Sequence, residues 1–452
     1  MCVASRYTCG MSRNTTPLSR ARPGEVPLLV GLLLLPVLVA YGVMAKFSLN
    51  VPFIDDYPTM MDFAARYEAL PTAGARLHYI LADQYTEYKL VFIHVFTAAQ
   101  LAVVPHLSFT FTFWTGQLCL LGMLFLLWKS YFQWETELRR RLLLFLPVAF
   151  VLFSLNYGEA LDWVACCIGY LMTMTLSLLA LYLLASEDRR AWRLACACVA
   201  ALLACTIAAN AFLLGPLGLV ALLPRRRFGA AVLWCAAFLL ALVPYAVYYK
   251  PEMHSGSGSY GLIPVWFVSF LGAASPVHEA AIAAGLGVLV VYFAALRGGF
   301  YRTHPAAVLE TTWLLGSAAL AAIGRGRTGL EFSTVSRYKI YSDLFFIFCY
   351  GFLAWRVAHG RLPWTAQRRL LGVAVAGAAL FCVLGDMQGY RILRGRHLMV
   401  VNAYRRYAEA PRVNSPMYFG DAKADGFFES YEIRARDETN AAVAAGLYLP
   451  PR

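Results

Sequence analysis

The stretch PLLVGLLLLPVLVAYGVMAKF, residues 27–47, runs directly into SLNVPFIDDYP, residues 48–58. The first part is an unbroken apolar run of the length that a hydrocarbon layer of roughly 30 Å asks of a helix, since backbone groups in lipid must find their partners within one segment. The second part is polar and carries two adjacent carboxylates, Asp55 and Asp56. A helix that leaves lipid into an acidic loop is the opening unit of a polytopic membrane protein. Arg6, Arg13, Arg20 and Arg22 precede the run. The run is longer than the apolar region of a secretory signal and has further apolar runs behind it, so it reads as an uncleaved anchor.

Working outward, hydrophobic residues make up 60% of the 452-residue chain and charged residues only 14%, with a mean hydropathy of +0.58. About a quarter of an ordinary soluble domain is charged. The pattern predicts an all-α polytopic bundle of about eleven spans, at 27–47, 109–128, 142–156, 164–185, 194–209, 211–224, 230–249, 277–296, 306–323, 341–358 and 370–385. Residues 90–104 are also apolar, but the segment is short and holds His94 and Gln100, which predicts an interfacial or re-entrant helix. Counting it as a crossing would put Arg139 to Arg141, Arg189, Arg190, Arg193 and Arg225 to Arg227 outside, against the positive-inside rule. With it left out, residues 1–26 are expected in the cytoplasm, 27–385 form the membrane domain, and the first loop 48–108 and a small tail 386–452 lie outside. Within that tail, residues 387–409 suit a surface helix. The net charge of +13 then follows topology and does not indicate nucleic acid. Most of the eleven cysteines, Cys166, Cys167 and Cys205 among them, fall in apolar runs without zinc spacing and suit packing.

The polar residues that need explaining gather in the segments placed outside. Asp55 and Asp56 repel each other unless a proton, a cation or a metal is at hand. Such a pair suits a general base toward an acceptor hydroxyl, with the neighbour orienting it or holding a divalent ion such as Mg or Mn; standing alone, it is better read as a solvated turn. Glu87 and Lys89, in QYTEYK at 84–89, either line a site or open the interfacial helix, and the second is simpler. The turn NYGEALDW at 156–163 leaves Glu159 and Asp162 to be explained once its aromatic residues serve as interface anchors. Asn210, alone between two apolar runs, suits a helix cap better than a substrate contact. The largest departure from the charge pattern is GRGRTG at 324–329, followed by STVSRYK at 333–339. Arg325, Arg327, Arg337 and Lys339 crowd a loop on the side that positive charge avoids, so an anionic partner is expected. Arginine forks suit phosphate oxygens, and glycines let backbone N–H groups approach them. A loop that holds lipid headgroups is the competing reading.

The order of these features resembles the GT-C class of polytopic membrane glycosyltransferases, and more narrowly a group of uncharacterised bacterial membrane proteins of that type. The matching stretches are the acidic pair, EYKLVF at 87–92, residues 156–163, AANAFLLGP at 208–216 and residues 324–338. The resemblance implies an inverting transfer of sugar from a polyprenyl-phosphate donor to an envelope glycan or lipid acceptor, at the outer face of a bacterial cytoplasmic membrane. In that scheme Asp55 is the base and Asp56 orients it or holds a metal. Arg325, Arg327, Arg337 and Lys339 meet the phosphate, and Tyr338 hydrogen-bonds it or stacks on the sugar. Glu87, Lys89, Glu159, Asp162 and Asn210 line the site. Two other classes fit less of the sequence. A transporter or flippase for a phosphate-bearing lipid would use Glu310, an ionisable group inside an apolar run, but no repeated halves are visible. A non-catalytic assembly partner docking through its tail leaves the acidic pair without a purpose.

Overall fold

The computed structural model describes residues 24–86, 88–251, 258–275, 277–360, 362–417 and 427–451. Within them every regular element is helical. Seven helices are long and apolar enough to cross a membrane: Glu25–Phe47, Phe109–Tyr131, Val164–Ala185, Phe228–Tyr248, Pro305–Arg325, Ser336–His359 and Thr365–Glu409. Large apolar side chains stand exposed on their outward faces. On Phe228–Tyr248, Val232, Leu239, Leu240 and Val247 each keep over 60% of their surface exposed. A contiguous belt of that kind in water would drive aggregation; against acyl chains it costs nothing.

All eleven apolar runs are helical, but four make shorter helices. Leu138–Leu152 has 15 residues, Ala191–Ile207 and Ala281–Arg297 have 17 each, and 211–224 falls in the apolar helix Ala209–Leu222. Residues 90–104 form Val91–Val103, whose 13 residues rise about 20 Å, short of a hydrocarbon core. Two features depart from expectation. Inside the segment read as loop 250–276, LIPVWFVSFL folds into the helix Leu262–Leu271, too short for a span-length search to find. The tail does not begin with a separate surface helix either: Trp364–Glu409 is one helix of 46 residues, about 69 Å long. No proline interrupts it, so the backbone carries on past residue 385 as one helix.

Glycines set the closest packing on this helix. A Cβ at Gly389 would meet the Leu155 carbonyl oxygen at 2.0 Å, and one at Gly385 would meet Ser154 Oγ at 2.1 Å. The pair forms a small-xxx-small face that admits the turn at Leu155–Tyr157 against the backbone, and Asp386 between them accepts the Leu155 N–H at 2.9 Å. Beyond this contact the helix continues over the loop of residues 48–108, where the helix Phe427–Ala444 also packs, against the π-helical turn Tyr57–Asp62.

Candidate functional site

The two neighbouring carboxylates turn to different environments. Asp56 is fully buried; its Oδ2 accepts the Phe53 N–H at 2.9 Å and its Oδ1 accepts the Ala165 N–H at 2.8 Å. Ala165 stands in the first turn of Val164–Ala185, so Asp56 caps that helix from 109 residues away. Burial pushes its pKa up, to about 8, against the backbone N–H groups of Phe53, Ala165 and Val164, which favour the ionised form. Asp55 is half-buried, and its Oδ1 accepts the Tyr85 hydroxyl at 2.9 Å. The turn between them is strained, because Ile54 sits at φ +42°, a left-handed conformation that a β-branched residue avoids. Strain of roughly 1–3 kcal/mol at such a position persists only where surrounding contacts hold it, and Asp56 supplies one at Phe53.

Tyr85 belongs to a tight clip. Its N–H and C=O pair with those of Tyr88 at 3.1 and 2.9 Å, and Thr86 between them is also left-handed, at φ +50°. The two tyrosines hold different partners: Tyr85 donates to Asp55, and Tyr88 accepts from Arg325 Nη2 at 3.3 Å. One four-residue turn therefore links the candidate base to a candidate phosphate-binding cation 270 positions away in sequence. Gln84 fastens the clip by bonding both the N–H and the C=O of Lys250. Glu87 lies outside the described residues. Lys89 is buried and donates to the Ala82 and Asp83 carbonyls, closing the C-terminus of Ala73–Ala82, where a cation meets the helix dipole.

A second cluster stands beside the first. Glu159 accepts the Arg337 N–H at 3.1 Å and its guanidinium at 3.3 Å, while the Glu159 N–H donates to Ser336 Oγ at 3.1 Å. Arg396, on the long helix, pairs with Asp162, lies 3.8 Å from Glu159 and stacks over the Phe53 ring at 4.4 Å. Burial pushes Asp162 up, to about 7, with Arg396 opposing. Phe53, whose N–H Asp56 accepts, carries Arg396 on its ring, which puts the two clusters side by side. Tyr338 is buried among Tyr170, Trp266 and Phe270, with its ring 6.0, 6.0 and 5.2 Å from theirs, which leaves it a wall position. Asn210 ties two spans together through Ser317 Oγ at 3.1 Å and the Tyr341 hydroxyl at 3.2 Å. Arg327 is turned aside to the Gly258 carbonyl and the Tyr260 hydroxyl. Lys339 has Asp343 within reach, and Asp343 is buried and bonded to Asn156 at 3.2 Å.

The acidic pair does not fit a divalent ion. Both oxygens of Asp56 are taken by backbone N–H groups, and among the described residues no three His, Cys, Asp or Glu side chains gather as a metal group. What the arrangement offers is one oriented carboxylate, a wall of tyrosines, and guanidinium groups at 325 and 337. Sequence reasoning missed Tyr85, Tyr88, Arg396 and Asp343. Asp343, an acid within an apolar run, carried the same signal as Glu310; the tyrosines carried none, because their partners lie 30 and 237 residues away. Searches against protein-family models, curated proteins and solved structures give no match for this chain.

Proposed function

We propose that this chain is a membrane glycosyltransferase that moves a sugar from a polyprenyl-phosphate donor to a glycan or lipid acceptor at the outer face of a bacterial cytoplasmic membrane. The shorter helices complete eleven crossings in this reading, with the N-terminus inside and the tail outside. The observation that carries it is the Tyr85–Tyr88 clip, which holds a carboxylate at one end and an arginine at the other. Asp55 takes the proton from an acceptor hydroxyl, whose oxygen bonds to the anomeric carbon. The bond from that carbon to the phosphate oxygen breaks, and the phosphate leaves with the electron pair. Arg325 and Arg337 stabilise the charge that grows on it.

The test uses purified protein in lipid nanodiscs with polyprenyl-phosphate hexose, following donor consumption. Asp55→Asn should lower turnover by roughly 10²–10⁴-fold, the range of general-base contributions. If Asp55→Asn and Arg325→Ala both turn over like the parent, the reading fails. A second reading, lipid transport, draws on Glu310, which is buried, bonded to Ser130 Oγ at 2.7 Å through one oxygen, and without a hydrogen-bond partner at the other among the described residues. Flux in proteoliposomes that depends on Glu310 and not on Asp55 would favour it.

A further inference from the structure

The arginines on the side of the acidic loop are of two kinds. Arg337, Arg396 and Arg327 are held by Glu159, Asp162 and the Gly258 carbonyl. Arg391 and Arg394 are exposed, and neither makes a hydrogen bond or an ion pair among the described residues. Both stand on one face of the long helix Trp364–Glu409. At about 100° per residue, Leu380, Leu384, Met387, Arg391, Arg394 and Leu398 fall within about 40° of a common line. Leu380 is 59% exposed and Met387 53%, so this face looks away from the bundle. Up to Met387 the stripe is of the kind that faces acyl chains; the next two turns carry guanidinium groups.

Two marks fix the level of these arginines. Arg391 lies about 6 Å and Arg394 about 10 Å beyond Met387 along the axis, where a headgroup layer is roughly 5–8 Å deep. Independently, the first span ends at Phe47, and there Lys46 Nζ donates to the Tyr390 hydroxyl at 3.2 Å, 5.5 Å from the centre of its ring. Lysine and tyrosine are ordinary anchors at a membrane boundary, and Tyr390 immediately precedes Arg391. Side chains on a helix lean toward its N-terminus, which here is the membrane end, so both guanidinium groups slope back toward the bilayer. Three residues apart, they are neighbours on the helix surface and can grip oxygens of one phosphate. We propose that Arg391 and Arg394 form a seat for the phosphate of an anionic phospholipid whose acyl chains lie along Leu384, Leu380 and Val373. A lipid held there fixes the depth of the helix that brings Asp386 to the Leu155 N–H and Arg396 to Asp162. The seat does not depend on the reading of Asp55 as a base.

The test places full-length protein in phosphatidylcholine nanodiscs with a minor share of phosphatidylglycerol and a trace of phosphatidylglycerol bearing a photoactivatable diazirine beside its headgroup. After irradiation, label on the peptide of residues 380–400 is quantified by mass spectrometry relative to label elsewhere on the chain. One basic residue near an anionic surface is worth about fivefold in lipid occupancy, so Arg391→Ala and Arg394→Ala should each lower the label about fivefold and the double variant tenfold or more. Melting temperatures should not move, because neither guanidinium is bonded to another described group. Arg405→Ala, exposed on the same face about 16 Å beyond Arg394, should label like the parent. Added phosphatidylglycerol should compete, whereas phosphatidylcholine with the same chains and inorganic phosphate should not. The seat is overturned if the double variant labels like the parent, if Arg405→Ala costs as much as Arg391→Ala, or if phosphatidylcholine competes equally, which would leave only contact with the apolar face. Displacement by inorganic phosphate would make it a free-anion site, and displacement by polyprenyl phosphate at far lower fractions would give it to the proposed donor; either result refutes a phospholipid seat.

Discussion

Replacing Asp56 and Asp55 in turn should separate two side chains whose Cα atoms are only about 3.8 Å apart. Asp56→Ala removes the acceptor from two buried N–H groups, those of Phe53 and Ala165. Each buried donor left unsatisfied costs roughly 1–3 kcal/mol. The two together, with the helix cap they include, put the loss at about 3–5 kcal/mol, a large share of what holds a typical domain folded. Asp55→Asn keeps an oxygen for Tyr85, sits in a half-buried position and should change stability by less than about 1 kcal/mol. Denaturant unfolding in a fixed detergent, followed by tryptophan fluorescence, measures both. The turnover assay should give the opposite ranking among folded molecules, with Asp55→Asn slower by roughly 10²–10⁴-fold. Equal losses of stability from the two substitutions, or a neutral Asp56→Ala, would refute the division of labour and with it the claim that the pair is not a metal site.

Three further outcomes follow from the same contacts. Gly389→Ala forces a methyl to within 2.0 Å of the Leu155 carbonyl and should destabilise the protein by about 1–3 kcal/mol, whereas Gly395→Ala, where a Cβ meets nothing within 4 Å, should be neutral or mildly stabilising; thermal melts compare them. Arg396→Ala strands Asp162 in a nearly buried position and should cost about 2–3 kcal/mol in the same unfolding measurement, with activity falling in step if the Glu159–Arg337 pair shifts. Stability should fall as pH rises: Asp56 and Glu438 titrate near 8 and Asp162 near 7 when folded, against about 4 when unfolded, so the folded state holds extra protons through that window and loses the advantage above it. Melting temperatures at pH 5.5 and pH 8.5 check the sign, and Asp56→Asn should flatten the difference.

The apolar runs were legible because lipid imposes a condition that a single sequence cannot hide: a crossing needs about 20 apolar residues in a row. Leu262–Leu271 escaped for the same reason, being ten residues long and buried partly by Gly272 and Gly285, which let its backbone approach Ala281–Arg297. The end of the last span was placed at residue 385 because composition changes there. Composition reports the solvent, and arginine, leucine and methionine continue a helix in water as readily as leucine and valine do in lipid. The site was legible only as a list of residue types. Asp55, Arg325 and Arg337 stood out as charges in unusual places, but whether a charged residue is a scaffold or a working group depends on what it touches. Asp56 and Asp55 are adjacent and alike in sequence, and one burial separates them.

The geometry also explains why this face of the bundle carries so many cations without being a simple anion trap. Arg337 is balanced by Glu159, Arg396 by Asp162 and Glu159, and Arg327 by a carbonyl and a phenol, so much of the positive charge is already engaged in holding loops to helices. An incoming phosphate would have to compete with Glu159 for Arg337, and it would do so at a point where the Arg337 N–H is itself bonded to the same carboxylate. In the proposed reaction that competition favours the transition state, because the charge on the phosphate is greatest as the bond to the sugar breaks, and a guanidinium shared with a carboxylate responds to the stronger acceptor. In that reaction the ion pair between Arg337 and Glu159 would also set the charge that the phosphate must bring to take Arg337 over.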